Sequence, residues 1–226
     1  VNYYWGLSNY NFKDYYTAET NFENFTTKYP RSPLTERARF LRLDCLYRQT
    51  LRYELDQAPT NRCLSALAEY LRDYPSNDHI SECEAMLKDL NDRLDTKAYE
   101  AAKLYYKMED YLAARVALRN VLKDDAENIY REDILFYTAK SSYKYAQLSV
   151  PQKQRERYLV FIDDYLNFKG ENPESKYVKE LDYLYSRAQK ALGKRSEDYE
   201  KEIKEKAYAK ERKKLEKALA KEKKQK

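Results

Sequence analysis

Residues 6–30 read GLSNYNFKDYYTAETNFENFTTKYP. In this stretch the small residue Gly6 lies 12 positions before a second small residue, Ala18. Two aromatic residues and a proline follow Ala18 by 4, 7 and 12 positions, namely Phe22, Phe25 and Pro30. Positions three or four apart lie on one face of a helix, and a small residue there lets a second helix approach closely. The stretch therefore predicts two helices that cross at Gly6 and Ala18.

The same spacing recurs along the chain, which is typical of tetratricopeptide repeats. A second unit repeats the offsets at Cys63, Leu67, Tyr70 and Pro75. A third contains Ala102, Ala114, Leu118 and Val121. A fourth begins at Tyr158, Ile162 and Tyr165, although Pro173 follows late. We therefore predict an all-α, tetratricopeptide-like helical-repeat solenoid of about four repeats over residues 1–193.

The units are longer than standard repeats, so some helices must be long. The equivalent positions Ala18, Cys63, Ala114 and Tyr158 follow one another at distances of 45, 51 and 44 residues. A standard unit has roughly 34 residues. The segment from Ile80 to Tyr106 contains no Pro or Gly and keeps apolar residues at helical spacing. We predict one long helix there.

The composition changes after Gly193 to a segment rich in Lys and Glu. Residues 195–226 hold 13 basic and 8 acidic residues, an excess that equals the formal net charge of +5 for the whole chain. We predict a charged C-terminal helix within residues 194–226. The rest of the chain is neutral, which argues against a nucleic-acid-binding surface because such a surface needs a basic stripe. A nucleic-acid adaptor that acts through the tail remains the least favoured alternative.

Residues suited to catalysis or metal binding are sparse. Three cysteines, Cys45, Cys63 and Cys83, show no metal-ligand spacing and are expected to be buried thiols. The single histidine, His79, is expected to be an exposed cap residue, and Asp163-Asp164 to be solvated surface. Phosphate-loop and nucleophile motifs are missing from the sequence. We predict a protein that is not an enzyme and has no cofactor and no metal.

Several short segments resemble the BamD family, the tetratricopeptide lipoproteins of the bacterial outer-membrane β-barrel assembly machinery. They include Tyr74-Pro75-Ser76-Asn77, Lys88-Asp89-Leu90-Asn91-Asp92-Arg93-Leu94, Tyr99-Glu100, Ala102-Lys103-Leu104-Tyr105-Tyr106, Asp110-Tyr111, Tyr143-Lys144-Tyr145-Ala146 and Asn172-Pro173-Glu174-Ser175-Lys176-Tyr177. The resemblance covers roughly residues 1–190 and is strongest from Tyr70 to Leu122, where it also accounts for the long repeats.

The resemblance implies a scaffold on the periplasmic face of the bacterial outer membrane. Its expected partners are a BamA-like barrel protein, other assembly subunits and unfolded outer-membrane proteins. Membrane association would run through a lipidated N-terminal cysteine in a segment that precedes this chain, which opens inside a repeat. A generic periplasmic tetratricopeptide adaptor, for example in cell-envelope or division complexes, is the alternative.

The resemblance also indicates candidate binding residues. The BamA-like partner is expected to contact Tyr130, Arg131, Asp133 and Tyr177. Unfolded substrates are expected to contact Tyr3, Trp5, Tyr10, Tyr15 and Tyr16, because aromatic side chains suit interfaces with aromatic-rich segments. The alternatives are that Arg131 is a solvated charge at a helix start and that these tyrosines are repeat core.

Overall fold

The computed structural model describes residues 1–76 and 78–193. The helices are α1 (Asn2–Asn11), α2 (Tyr15–Lys28), α3 (Thr35–Arg48), α4 (Ala58–Asp73), α5 (Ile80–Lys107), α6 (Tyr111–Asp124), α7 (Arg131–Gln147) and α8 (Pro151–Glu171). A further helix, α9, covers residues 178–193 of the described chain, and these described ranges contain no strand. The prediction of an all-α helical-repeat fold with long helices is confirmed. The predicted helix in residues 194–226 lies outside the described residues.

Two hairpins, α1–α2 and α5–α6, are closed by the same turn. Lys13 and Glu109 have φ angles of 65° and 62°, in the left-handed region that reverses the chain. Asp14 and Asp110 follow them as N-caps, and each side chain accepts a hydrogen bond from the backbone N–H three residues later, at 3.2 and 3.1 Å. The two turns lie 96 residues apart, as the repeat spacing predicts.

Helices within a repeat approach closely at small residues. A Cβ atom on Gly6 would lie 2.8 Å from the ring of Phe22, so no larger residue fits without movement. Ala18 is fully buried, as is Ala114 at the equivalent position of the later repeat. The predicted crossing at small residues therefore holds in both repeats.

The fourth repeat takes a different register from the predicted one. Phe161 and Phe168 are fully buried, Tyr165 is 4% exposed, and Ile162 is only half-buried. Counted from Phe161, these two buried aromatic residues and Pro173 follow at the regular offsets of 4, 7 and 12. An aromatic ring thus stands at the position where other repeats have a small residue.

The chain forms two compact units. The first comprises Val1–Ala101 with Asn128–Tyr130, and the second comprises Ala102–Glu127 with the described residues from Arg131 onward. In the first unit one core cluster joins α1, α2 and α3 and another joins α3, α4 and α5. In the second unit the core joins α7, α8 and α9.

The three cysteines lie in the core of the first unit. Cys45, Cys63 and Cys83 are fully buried free thiols, which confirms the prediction. Burial raises the pKa of Cys45 and Cys63 to about 12, so both stay protonated and unreactive at neutral pH.

Each unit also buries a carboxylate that pairs with arginine from another helix. In the first unit Glu19 is 2% exposed and accepts hydrogen bonds from Arg42 at 3.0 Å and from Arg62 at 2.9 Å. In the second unit Asp164 is 8% exposed and pairs with Arg115 at 2.8 Å. The expectation that Asp164 is solvated surface was wrong, because its partner lies on another helix.

His79 takes the cap position before α5, where its backbone carbonyl accepts a hydrogen bond from the Cys83 N–H at 3.0 Å, but it is less exposed than the sequence suggested. Its ring stacks on Phe40 with 3.7 Å between centroids, and one-third of its side chain is exposed. The nearby Pro75 loop places it directly before α5, where packing against α3 holds the ring.

The close contact at Gly6 yields the first prediction. Gly6→Ala should lower the free energy of unfolding by about 1–3 kcal/mol, because the added methyl group overlaps the buried Phe22 ring. Gly170→Ala is the control: nothing lies within 4 Å of its Cβ position, so stability should stay constant or rise by about 0.5 kcal/mol. Urea unfolding followed by far-ultraviolet circular dichroism measures both; equal losses would contradict the crossing geometry.

A second prediction concerns Tyr70, which is 3% exposed and whose hydroxyl has no hydrogen-bond partner among the described residues. Burial is also the main cause of its raised pKa. Tyr70→Phe should raise the free energy of unfolding by about 1–3 kcal/mol, because it removes a buried polar group that has lost its water.

Tyr165→Phe is the matched control for this prediction. The Tyr165 hydroxyl donates to Asp182 at 2.5 Å and accepts from Lys169 at 2.9 Å. Its removal should lower the free energy of unfolding by about 0.5–1.5 kcal/mol in the same urea titration. If Tyr70→Phe destabilises the protein as much as the control does, the Tyr70 hydroxyl has a partner after all.

Candidate partner-binding surfaces

The α1–α2 hairpin presents four large aromatic side chains to solvent. Tyr4 is 68% exposed, Trp5 59%, Phe12 83% and Tyr16 71%, and together they are called the aromatic face below. Two of them, Trp5 and Tyr16, are among the residues expected to contact substrate. These side chains offer exposed aromatic area to a partner, because exposed apolar surface is where interaction sites are found.

Tyr3 lies on the inner side of α1, where its ring meets that of Tyr4 edge to face at 5.3 Å. It is 6% exposed and packs against Phe22 and Phe25 with ring centroids 6.1 and 5.5 Å away. Its side chain therefore belongs to the core that supports the aromatic face.

Tyr10 and Tyr15 form a half-buried cluster beneath the same hairpin. Their rings meet edge to face at 5.7 Å, and the Arg48 guanidinium lies 5.7 and 5.3 Å from the two ring centres. The Tyr10 hydroxyl donates to Asp44 at 2.5 Å. Burial, and then this bond, raise the pKa of Tyr10 to about 12. These contacts fix the hairpin on α3.

Sequence reasoning missed two members of the aromatic face, Tyr4 and Phe12. A signal for them was present in the helical spacing around Gly6. Residues 3, 6 and 10 fall on one helix face, and the contact of Gly6 with α2 makes that face the inner one. Tyr4 and Phe12 lie off that stripe and so point to solvent.

Two of the residues expected to contact a barrel protein, Arg131 and Asp133, lie in the first turn of α7, and a third, Tyr177, contacts Asp133. Arg131 donates to Glu171 on α8 at 2.9 Å and to the backbone carbonyl of Ala126 at 2.8 Å. Asp133, half a turn later, accepts a hydrogen bond from the Tyr177 hydroxyl at 2.6 Å. Arg131, Asp133 and Tyr177 are called the α7-start surface below.

Tyr177 is held rigidly within this surface. Its ring stacks on Phe136 with 4.0 Å between centroids. The hydrogen bond to Asp133 is the first cause, and burial the second, that raise the pKa of Tyr177 to about 12. The hydroxyl therefore remains a hydrogen-bond donor at every physiological pH.

Tyr130 is not placed with these three residues. It belongs to the first compact unit, where its ring stacks on Tyr99 at 4.5 Å and its hydroxyl lies 3.1 Å from the Thr96 hydroxyl. Tyr130 therefore packs against α5, although it directly precedes Arg131 in the sequence.

Neither surface is arranged as a metal centre. Within residues 1–76 and 78–193, no three His, Cys, Asp or Glu side chains are grouped so that they would hold a metal ion. A search of the same residues finds no helix with the length and apolar character needed to span a bilayer. What the two surfaces offer is aromatic contact area at α1–α2 and fixed polar groups at α7.

Comparison with known proteins identifies relatives of this chain. The YfiO family, described as outer membrane lipoprotein, matches residues 4–160. The outer membrane protein assembly factor BamD of Caulobacter vibrioides is 25% identical over 131 residues, which cover 58% of this chain and 43% of that protein. The chain thus spans less than half the length of this curated relative. Because the match takes in more than half of the chain, the protein belongs to the YfiO, or BamD-like, family of outer membrane lipoproteins.

Proposed function

We propose that the chain is a non-enzymatic scaffold subunit of the outer-membrane β-barrel assembly machinery. It binds a BamA-like barrel protein, other assembly subunits and unfolded outer-membrane proteins at the periplasmic face of the outer membrane. The observation that carries this proposal is the aromatic face on α1–α2 in a chain of this family.

The aromatic face suits an unfolded barrel protein as ligand. Strands of outer-membrane barrels alternate apolar and polar residues and carry aromatic girdles at both membrane interfaces. Before insertion, these side chains are exposed and need a surface that shields them. Trp5, Phe12 and Tyr16 offer stacking and edge contacts that tolerate many sequences, because any aromatic or apolar side chain finds area there.

The α7-start surface suits a folded protein partner. Its polar groups are fixed by Phe136 stacking and by the bonds to Glu171 and Asp133, so little side-chain entropy is lost on binding. Arg131 is 42% exposed in its side chain and presents a guanidinium that pairs well with carboxylates. A fixed arrangement of this kind gives orientation and specificity more than affinity.

Membrane attachment in this proposal comes from a lipidated N-terminal cysteine outside this chain. The three cysteines of the chain are fully buried in the first unit and cannot carry an acyl chain without unfolding it. A lipid anchor inserts a hydrocarbon chain into one leaflet and leaves the protein domain in the aqueous phase.

The third prediction tests the aromatic face. A variant with Trp5→Ser, Phe12→Ser and Tyr16→Ser should bind a urea-unfolded barrel precursor at least about tenfold more weakly after dilution, because it loses three aromatic contacts of about 0.5–1.5 kcal/mol each. Fluorescence anisotropy of the labelled precursor measures the affinity.

The control removes apolar side chains elsewhere in the same unit. Leu51 and Leu55 are 40% and 44% exposed in the α3–α4 connection, and Leu51→Ser with Leu55→Ser should leave the affinity within about twofold. Equal losses of affinity in both variants would mean that the precursor binds non-specifically to exposed apolar side chains. That result would contradict the assignment of the aromatic face as the binding surface.

The fourth prediction separates partner contact from internal support at Arg131. Arg131→Glu breaks the ion pair with Glu171, whereas Arg131→Glu with Glu171→Arg restores it in reverse. Both changes agree with the helix dipoles, since Glu then starts α7 and Arg ends α8. If Arg131 contacts the barrel protein, both variants should bind its purified periplasmic domains roughly fivefold more weakly, as measured by titration calorimetry.

The exchanged pair decides the interpretation. Recovery of full affinity in the doubly substituted chain would show that the ion pair only holds α7 against α8, and Arg131 would then have no direct role in recognition. Thermal melts of both variants confirm that the fold is kept before affinities are compared.

A further inference from the structure

Each unit contains a groove built in the same way. In the first unit α2, α3 and α4 enclose a groove of about 370 Å³, and in the second unit α6, α7 and α8 enclose one of about 580 Å³. The walls correspond by repeat offset, so that Glu23 on α2 matches Arg119 on α6, 96 residues later. The two grooves are called the first groove and the second groove below.

Most charges of the first groove are paired within the chain, and the exception is Glu69 on α4, an exposed lining residue without an ion-pair partner among the described residues. Glu19 on α2 pairs with Arg62 on α4 at 2.9 Å, and Arg39 on α3 pairs with Asp73 on α4 at 2.5 Å. Arg42 adds a bond to Glu23 at 2.7 Å. The helices that form this groove are therefore bridged by their own ion pairs.

The second groove leaves its outer charges unmatched. Arg119 and Lys123 on α6 are exposed and have no ion-pair partner in the described part of the chain, and the same is true of Asp163 on α8. The pair between Arg115 and Asp164 lies at the base, where both side chains are mostly buried. One wall is thus positive, the facing wall carries a free carboxylate, and the space between them is larger.

Apolar side chains line the floor, extend the α6 wall along its helical stripe and lie beside the α8 wall. Leu135, 8% exposed, and the half-buried Leu122 form the floor. On α6, Leu112 and Val116 are 46% and 49% exposed. They lie on the same helix face as Arg119 and Lys123, since the four residues are spaced at i, i+4, i+7 and i+11. On α8, Leu166 is 55% exposed close to Asp163.

We propose that the second groove binds an amphipathic helix of a partner protein. The apolar face of that helix lies on the Leu122–Leu135 floor, its acidic edge faces Arg119 and Lys123, and its basic edge faces Asp163. Charge complementarity selects this occupant, since Arg119 and Lys123 on one wall and Asp163 on the other have opposite signs and no ion-pair partner among the described residues, although Glu171 on the α8 wall is paired with Arg131. The inference goes beyond the proposed function, because it requires neither a barrel protein nor an unfolded precursor.

The test uses three synthetic helical peptides of equal length with the same apolar face. One has a Glu edge and a Lys edge, one has Lys on both edges, and one has Glu on both edges. The full chain should bind the mixed-edge peptide about tenfold more tightly than either of the others, because only this peptide has no repulsive edge. The preference should weaken as salt is raised, since exposed charges are screened.

Charge reversal on one wall should change which peptide is preferred. With Arg119→Glu and Lys123→Glu both walls are acidic, and the peptide with two Lys edges should become the tightest ligand. The control, Lys179→Glu with Lys190→Glu on α9, makes the same change in net charge at residues that do not line the groove. It should keep the preference for the mixed-edge peptide.

Three results would overturn the proposal. Equal affinity for the three peptides, or an unchanged preference after reversal of the α6 wall, would show that the groove charges do not recognise a helix. Competition by a peptide of residues 194–226 would assign the groove to the C-terminal segment of the chain in place of a partner.

Discussion

The close approach of paired helices at small residues determines which side chains the rest of the molecule can use. At Gly6 there is room for a hydrogen atom against the Phe22 ring but not for a methyl group. This contact fixes the rotation of α1 about its axis. Tyr3 is consequently buried, while Trp5 is turned to solvent. The aromatic face is thus a consequence of packing at the crossing point.

Buried charges then decide which helices are bridged. Glu19 on α2 and Arg115 on α6 stand at equivalent positions 96 residues apart, yet they carry opposite charges. Each needs an opposite charge nearby, because a lone buried charge costs several kcal/mol. Glu19 takes arginines from α3 and α4, whereas Arg115 takes Asp164 from α8. The same backbone arrangement therefore supports two grooves with different chemistry.

Features set by local spacing could be predicted from sequence, and features set by contacts between repeats could not. The long helix at Ile80–Lys107 was predictable because Pro and Gly are missing there. The register of α8 was not, since Phe161 occupies a crossing position where a small residue is expected. Burial of Asp164 and stacking of His79 depend on helices distant in sequence. No local sequence pattern predicts contacts with helices that are distant in sequence.

The central claim is that this chain is a scaffold in outer-membrane barrel assembly. The most direct measurement is affinity purification of the chain from detergent-solubilised outer membranes of its own source, with mass spectrometry of the bound proteins. The account predicts that a BamA-like barrel protein is recovered in near-equal amount with the chain. Recovery of division or other envelope proteins, without any barrel-assembly protein, would contradict it.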